Sequence, residues 1–300
     1  MRSLASLAIA FLFFSGCAAS NGPSVDGGKN APVTPLAKPE AGKGFQIYMP
    51  PFDIAPEEEK EIFVYKNSPV QSTQFVNKIE FSMREGSHHF VLYTLNGMIE
   101  QVSDGQVRTD IESEMQRQTR EFVFGAQTSQ AIYNFPPGVA MQMNAGEGLD
   151  LNAHYVNPTT ELYKGEAYIN LHTIPQSEVQ HIAQPMLSVD QAFSIPPHST
   201  YTRTKNWGAF GRRTHLFLLT SHAHKRMLSF KIFKISGGDT TQIYQTLNWH
   251  EPDVVAQDII FEPSDQIYSE TTWRNNSDQP INFGFSSEDE MNVIYGYYWQ

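Results

Sequence analysis

The chain has 300 residues, with 21 Lys and Arg against 32 Asp and Glu, a formal net charge of −11, and a single cysteine. A nucleic-acid binder needs a basic face, and this balance argues against one. One thiol rules out an intrachain disulfide, so the fold must be held by burial, and a chain of this length favours two domains.

The first stretch, "MRSLASLAIAFLFFSGCAAS", has a basic Arg2, an apolar run from Leu4 to Phe14 and small residues before Cys17. That is the pattern of an export signal. The run is shorter than the ~20 residues of a membrane span. Ser15-Gly16 before Cys17 reads as a bacterial lipobox, with Phe14 where Leu is commoner. Residues 1–17 are then a lipoprotein signal and Cys17 carries the lipid. The alternative is an ordinary secretory signal with an incidental cysteine. The expected location is the bacterial cell envelope, with the chain anchored to a membrane by lipid on its periplasmic or outer-membrane face. Residues 18–43 are rich in Gly, Pro, Ala, Ser and Asn. They bury too little surface to offset ordering, and read as a flexible tether.

From Gly44 onward, short apolar or alternating runs recur between turn residues. Strands are expected over 61–66, 76–83, 89–95, 139–143, 149–156 and 166–174, then 215–224, 227–235, 241–247, 258–262, 266–273, 281–285 and 291–299. Only Glu57–Glu61 and Ile111–Glu121 hint at helix. Many short strands at this spacing indicate an all-β chain of sandwiches or barrels. A boundary is expected near Pro185–Gln191, giving domains over 44–187 and 188–300.

Ten histidines are present. His88 and His89 are adjacent at the head of a strand, where neighbouring side chains point apart. A turn at Gly86-Ser87 could swing both rings to one side. His154 lies inside a later strand, before Asn157-Pro158. His222 and His224 are two apart, so on a strand they share a face, roughly 7 Å apart at the backbone. On spacing alone they read equally as a ligand pair or as two histidines on a wet face. Imidazole suits Cu, Zn, Fe and Ni.

In order and spacing, "GSHHFVLYT", "YNFPPGVAMQM", "LDLNAHYVNP", "SIPPHSTYT", "THLFLLTSHAH", "LNWHEPDV" and "SSEDEMNVIYGYYW" resemble the copper type II, ascorbate-dependent monooxygenases, the family of dopamine beta-monooxygenase and peptidylglycine alpha-hydroxylating monooxygenase. The resemblance runs from about Phe45 to Trp299. It implies two tandem jelly-roll-like β-sandwich domains with two coppers per chain, one on each domain. By it, His88, His89 and His154 hold the electron-transfer copper. His222, His224 and Met291 hold the second, where O2 binds and a substrate C–H bond is attacked. Ascorbate or another one-electron donor is implied as co-substrate. A soft thioether such as Met291 favours the reduced metal.

The chain also departs from the family. In the peptide-amidating branch an Arg, an Asn and a Tyr hold a substrate carboxylate. Here those positions are Thr220, Val293 and Tyr295, so Tyr295 alone is kept as a candidate catalytic residue and peptidylglycine substrates are not expected. His215 and His250 are left outside the metal sets. Two functions are carried forward. The first is a copper-dependent monooxygenase hydroxylating a small organic substrate with O2. The second is a copper-binding or copper-handling envelope lipoprotein without turnover.

Overall fold

The computed structural model describes residues 33–84, 87–95, 103–109 and 120–300. The expected signal with Cys17, the start of the tether and the helix hint over 111–119 lie outside the described residues.

The first half runs through β1 (Gly44–Ile54), β2 (Glu59–Lys66), β3 (Gln74–Met83), β4 (Ser87–Leu95), β5 (Val107–Thr109), β6 (Arg120–Ala126), β7 (Gln130–Asn134), β8 (Val139–Met143), β9 (Gly148–Val156), β10 (Tyr163–Ile174) and β11 (His181–Ile182). One sheet has the order β1-β10-β3-β8-β11, with β7 beside β3, and the other β5-β2-β9-β4-β6. Ile47, Ile79, Phe81 and Leu171 from the first sheet meet Ile62, Leu92, Phe124 and Leu151 from the second in one core. β9 is central in its sheet and buried along almost its whole length.

The second half contains β12 (Gln184–Val189), β13 (Ser194–Ile195), β14 (Ser199–Ala209), β15 (Thr214–His222), β16 (Met227–Ser236), β17 (Asp239–Thr246), β18 (Ile259–Phe261), β19 (Gln266–Asn275), β20 (Ile281–Asn282) and β21 (Val293–Trp299). Sheets β12-β21-β15-β18 and β14-β19-β16-β17 face each other, with a short β13-β20 pair. Leu216, Leu219 and Ile294 pack there against Phe230, Ile232 and Trp273. The chain is thus all-β, built from antiparallel sheets in sandwich-like halves. β12 pairs with β21, so residues 184–187, expected in the first domain, belong to a sheet of the second half.

The two halves share buried contacts. Phe217, Leu218 and Tyr297 join the core of the first half, with the Phe135 and Phe217 rings 5.1 Å apart. The Tyr297 hydroxyl donates to the Val123 carbonyl at 2.6 Å. This seam brings the ends of β4, β9 and β15 together.

Three expectations are corrected. Glu57–Glu61 is not helical: a turn with Glu57 at φ 59° leads directly into β2. The last part of the tether is packed rather than free. Val33 is buried, and the Thr34, Leu36 and Ala37 carbonyls accept from Ser82, Gln46 and Asn170. An edge of backbone carbonyls needs no apolar side chains to dock, which is why composition missed it. Residues 120–121, the end of the second helix hint, open β6.

Candidate metal centre

The adjacent histidines do converge, and the cause is local. In the β4–β9 ladder Ser87 pairs with Tyr155 and His89 with His154, so the register slips by one residue at His88. A bulge of this kind re-aims the extra residue. It lays the His88 ring 5.2 Å from His89 and 5.1 Å from His154, centroid to centroid. His222 ends β15, while His224 lies past the strand in the turn before β16. These two rings are 5.1 Å apart.

Two separate pockets were expected, one in each half. The structure instead gathers the five imidazoles into one cluster. His88 stands 5.2 Å from His222 and 5.1 Å from His224, and His89 stands 5.3 Å from His222. Donor atoms of His88, His89 and His154 lie within 4.8 Å of one another, and so do those of His88, His222 and His224. His88 therefore belongs to both trios. Halves that meet along a seam can place both sets at that seam, and the pattern within each strand carries no sign of it.

The outward nitrogens are held by the protein. His222 Nδ1 lies 2.5 Å from Gln127 Oε1. The Gln127 amide donates to the Ser221 carbonyl at 2.8 Å and to the Tyr295 hydroxyl at 3.2 Å. Its oxygen is therefore turned to His222 and accepts the Nδ1 proton, leaving the Nε2 lone pair facing the cluster. His224 Nδ1 donates to the Asp289 carbonyl at 3.1 Å, with the same result. His154 Nε2 lies 2.9 Å from Glu59 Oε1, and the Glu59 carboxylate also accepts from the Ser287 backbone at 2.7 Å and its hydroxyl at 3.0 Å. The His154 partnership, with Ser287, holds Glu59 down to about 2.

The inward Nε2 atoms of His88, His222 and His224 are buried with no hydrogen-bond partner. Burial is the main force lowering the His88, His89 and His222 rings well below the ordinary value, and neighbouring imidazoles add to it; burial likewise brings His224 to about 4. Buried imidazoles kept neutral, with lone pairs turned toward one another, are what a metal ion requires and what a merely packed core avoids. The donor set suits copper. The other five histidines behave differently: His172, His198 and His215 meet Glu80, Asp278 and Asp258, His181 stacks on Trp299, and His250 lies beside Trp249.

Met291 is buried just before β21, packed with Val293, Tyr295, Phe122 and Phe283. The β15–β21 ladder ends on the pair His222–Val293, with Val293 two residues along the chain from Met291. Met291, His89, His222 and Tyr295 all line one cavity of about 340 Å³. The preceding Glu290 is buried, and burial pushes its carboxyl up to about 7; it accepts from the backbones of His224 and Arg226 at 2.9 and 2.8 Å. Gln127, Glu59 and Glu290 were not foreseen as site residues. Glu290 stood in a stretch that carries the family resemblance, Glu59 only in the helix hint, and Gln127 in neither.

Two expected outcomes follow. Gln127→Leu should weaken copper binding at His222 by about 10–100-fold, the usual cost of losing a partner that orients a ligand. Gln127→Glu keeps the accepting oxygen and should lose much less. Competition against a copper(I) chelator checks both. Glu59→Ala should cost about 1–3 kcal/mol of stability, since it strips hydrogen bonds from buried His154 and from the Ser287 loop at once. Urea unfolding of the metal-free chain measures it.

Compared with curated proteins, the chain finds no match. Among solved structures it is similar to the major capsid protein P2 of bacteriophage PM2, at 9% identity over 85% of this chain and 97% of that one, with a TM-score of 0.36. It is also similar to the tandem CBM22 domain of Paenibacillus barcinonensis Xyn10C, at 12% identity over 89% of each chain, with a TM-score of 0.22. Likeness at that level carries no argument. The family comparison is more specific: residues 182–300, which hold His222, His224, Met291 and Tyr295, match the copper type II ascorbate-dependent monooxygenase C-terminal domain.

Proposed function

We propose that the chain is a copper-dependent monooxygenase that hydroxylates an activated C–H bond of a small organic molecule, using O2 and an external one-electron donor such as ascorbate. The observation that carries this reading is the cluster of buried imidazoles, three of them with unpartnered Nε2 atoms, opening beside Met291 onto a substrate-sized cavity. The match over residues 182–300 supports it. His88, His89 and His154 would hold one copper, and His222, His224 and Met291 the other.

Bound copper would supply the redox chemistry of oxygen. One oxygen atom enters the C–H bond and the other leaves as water. Two electrons come from two one-electron oxidations of the donor, and two protons from solvent. The residues of this chain do the rest. Gln127 and the Asp289 carbonyl hold His222 and His224 with Nε2 turned inward. Glu59 orients His154 and ties it to the Ser287 loop of the other half. Phe122, Phe283 and Val293 exclude water from the cavity wall. With the signal and Cys17, we further propose an exported, lipid-anchored enzyme of the cell envelope.

The test is a copper(I) titration followed by single-turnover chemistry under ¹⁸O2. Two ions per chain and donor-dependent incorporation of one labelled atom are expected. Two ions bound with no donor-dependent oxygen uptake would replace this reading with a copper-handling protein.

A further inference from the structure

We infer that the cavity beside the histidine cluster takes an uncharged, apolar molecule of one or two rings, and discriminates against amines and carboxylates of the same shape. The role of that molecule as substrate rests on the monooxygenase reading; its binding does not.

The volume of about 340 Å³ lies at the low end of the ~300–1,000 Å³ range of small-molecule sites. Phe63, Phe122, Phe283, Leu187 and Val293 supply much of the wall. The polar groups that share it are engaged elsewhere. Glu61 Oε1 accepts from Asn152 at 3.0 Å and lies 4.0 Å from His89 Nε2. Arg120 donates through Nε to Asp150 at 2.8 Å, and its guanidinium lies 4.2 Å over the Phe63 ring. Both amide ends of Gln127 are committed, to His222 and to Ser221 and Tyr295.

Among the described residues, therefore, each charged group of the wall already has a partner inside the protein. An ammonium or carboxylate on the occupant would lose its water and would have to compete with Asn152 for Glu61 or with Asp150 for Arg120, a cost that a neutral occupant avoids. Apolar surface leaving water against these rings drives binding instead. At the end nearest His222 both Gln127 amide hydrogens are committed and the flanking Phe122, Met291 and Val293 side chains are apolar, so the group presented to the cluster is hydrocarbon. A benzylic carbon meets that requirement and carries an activated C–H bond.

The experiment uses three probes of one shape: tetralin, 2-aminotetralin and tetralin-2-carboxylate, titrated into the copper-free full chain. Binding is read from the ¹³C-methyl resonance of Met291, assigned with Met291→Leu, because that side chain lines the cavity. Tetralin is expected to shift the resonance and to bind at least tenfold more tightly than either charged analogue. Equal or tighter binding of the amine or the acid overturns the proposal. So does a failure of tetralin to move the resonance up to its solubility. Val293→Trp and Val91→Trp, each filling the cavity from a different strand, should abolish tetralin binding in whichever variant still melts cooperatively. Tetralin bound but never oxidised by the copper-loaded chain would remove the monooxygenase reading and leave this one. Hydroxylation of the amine in preference to tetralin would do the reverse.

Discussion

His88→Ala is expected to abolish tight binding of the copper held with His89 and His154 and to weaken the copper at His222 and His224 to a lesser degree, whereas His154→Ala or His224→Ala should weaken one ion and spare the other. The reason is the sharing seen at the bulge. His88 has donor atoms within 4.8 Å of both His89 and His154 on one side and His222 and His224 on the other. Its Nε2 is buried and has no hydrogen-bond partner. Losing a residue that only orients a ligand already costs about 10–100-fold, so losing the ligand itself should exceed ~100-fold for the ion held with His89 and His154. One imidazole lone pair binds one ion, so the ion at His222, His224 and Met291 loses only a packed neighbour and should weaken by less. Chelator competition under nitrogen measures this, and a thermal melt of the metal-free variant separates metal loss from unfolding. If His88→Ala leaves both ions at the wild-type affinity, His88 is a ligand of neither and the assignment is wrong.

How much of this could be read from sequence depends on what each residue's neighbours are. His154 and His89 were legible because both lie in strands whose period-2 pattern is clear, and the ladder sets them opposite each other. His88 needed a bulge, and the only sign of one was the Gly86-Ser87 turn before it. The meeting of His88 with His222 and His224 was not legible. It depends on how two sandwiches abut, and nothing periodic in either strand encodes that contact. Gln127 was missed for a related reason: it follows β6, and its partners are 94 to 168 residues away. β14 was missed because "STYTRTKNWGA" alternates between exposed and half-buried residues and shows no apolar face. Asp150 was missed as well: a carboxylate between Leu149 and Leu151 signals a buried partner only once the strand is known to be buried on both faces.

That partner is double, which makes Asp150→Ala the change expected to cost the most stability. Asp150 is fully buried and bonds to Arg108 through one oxygen and to Arg120 through the other, the latter at 2.8 Å from Nε. The side chains of Arg108 and Arg120 are only 3% and 6% exposed. Alanine would leave two guanidinium groups out of water with their shared counter-charge gone, and breaking a buried pair in this way costs about 3–5 kcal/mol. Asp150→Asn keeps the volume and an accepting oxygen but not the charge, and should fall between wild type and alanine. Adding Arg120→Met to Asp150→Ala removes one of the stranded cations and should restore part of the loss, a non-additivity that a double-mutant cycle reads directly. Urea midpoints at constant slope measure all three. A loss below about 1 kcal/mol for alanine would mean that water reaches the triad, contrary to its burial. The consequence extends to the site, because Arg120 lines the cavity and Asp150 lies on the strand of His154. A relaxed triad should free Arg120 toward the cavity, and the discrimination against tetralin-2-carboxylate should then shrink while that against 2-aminotetralin persists.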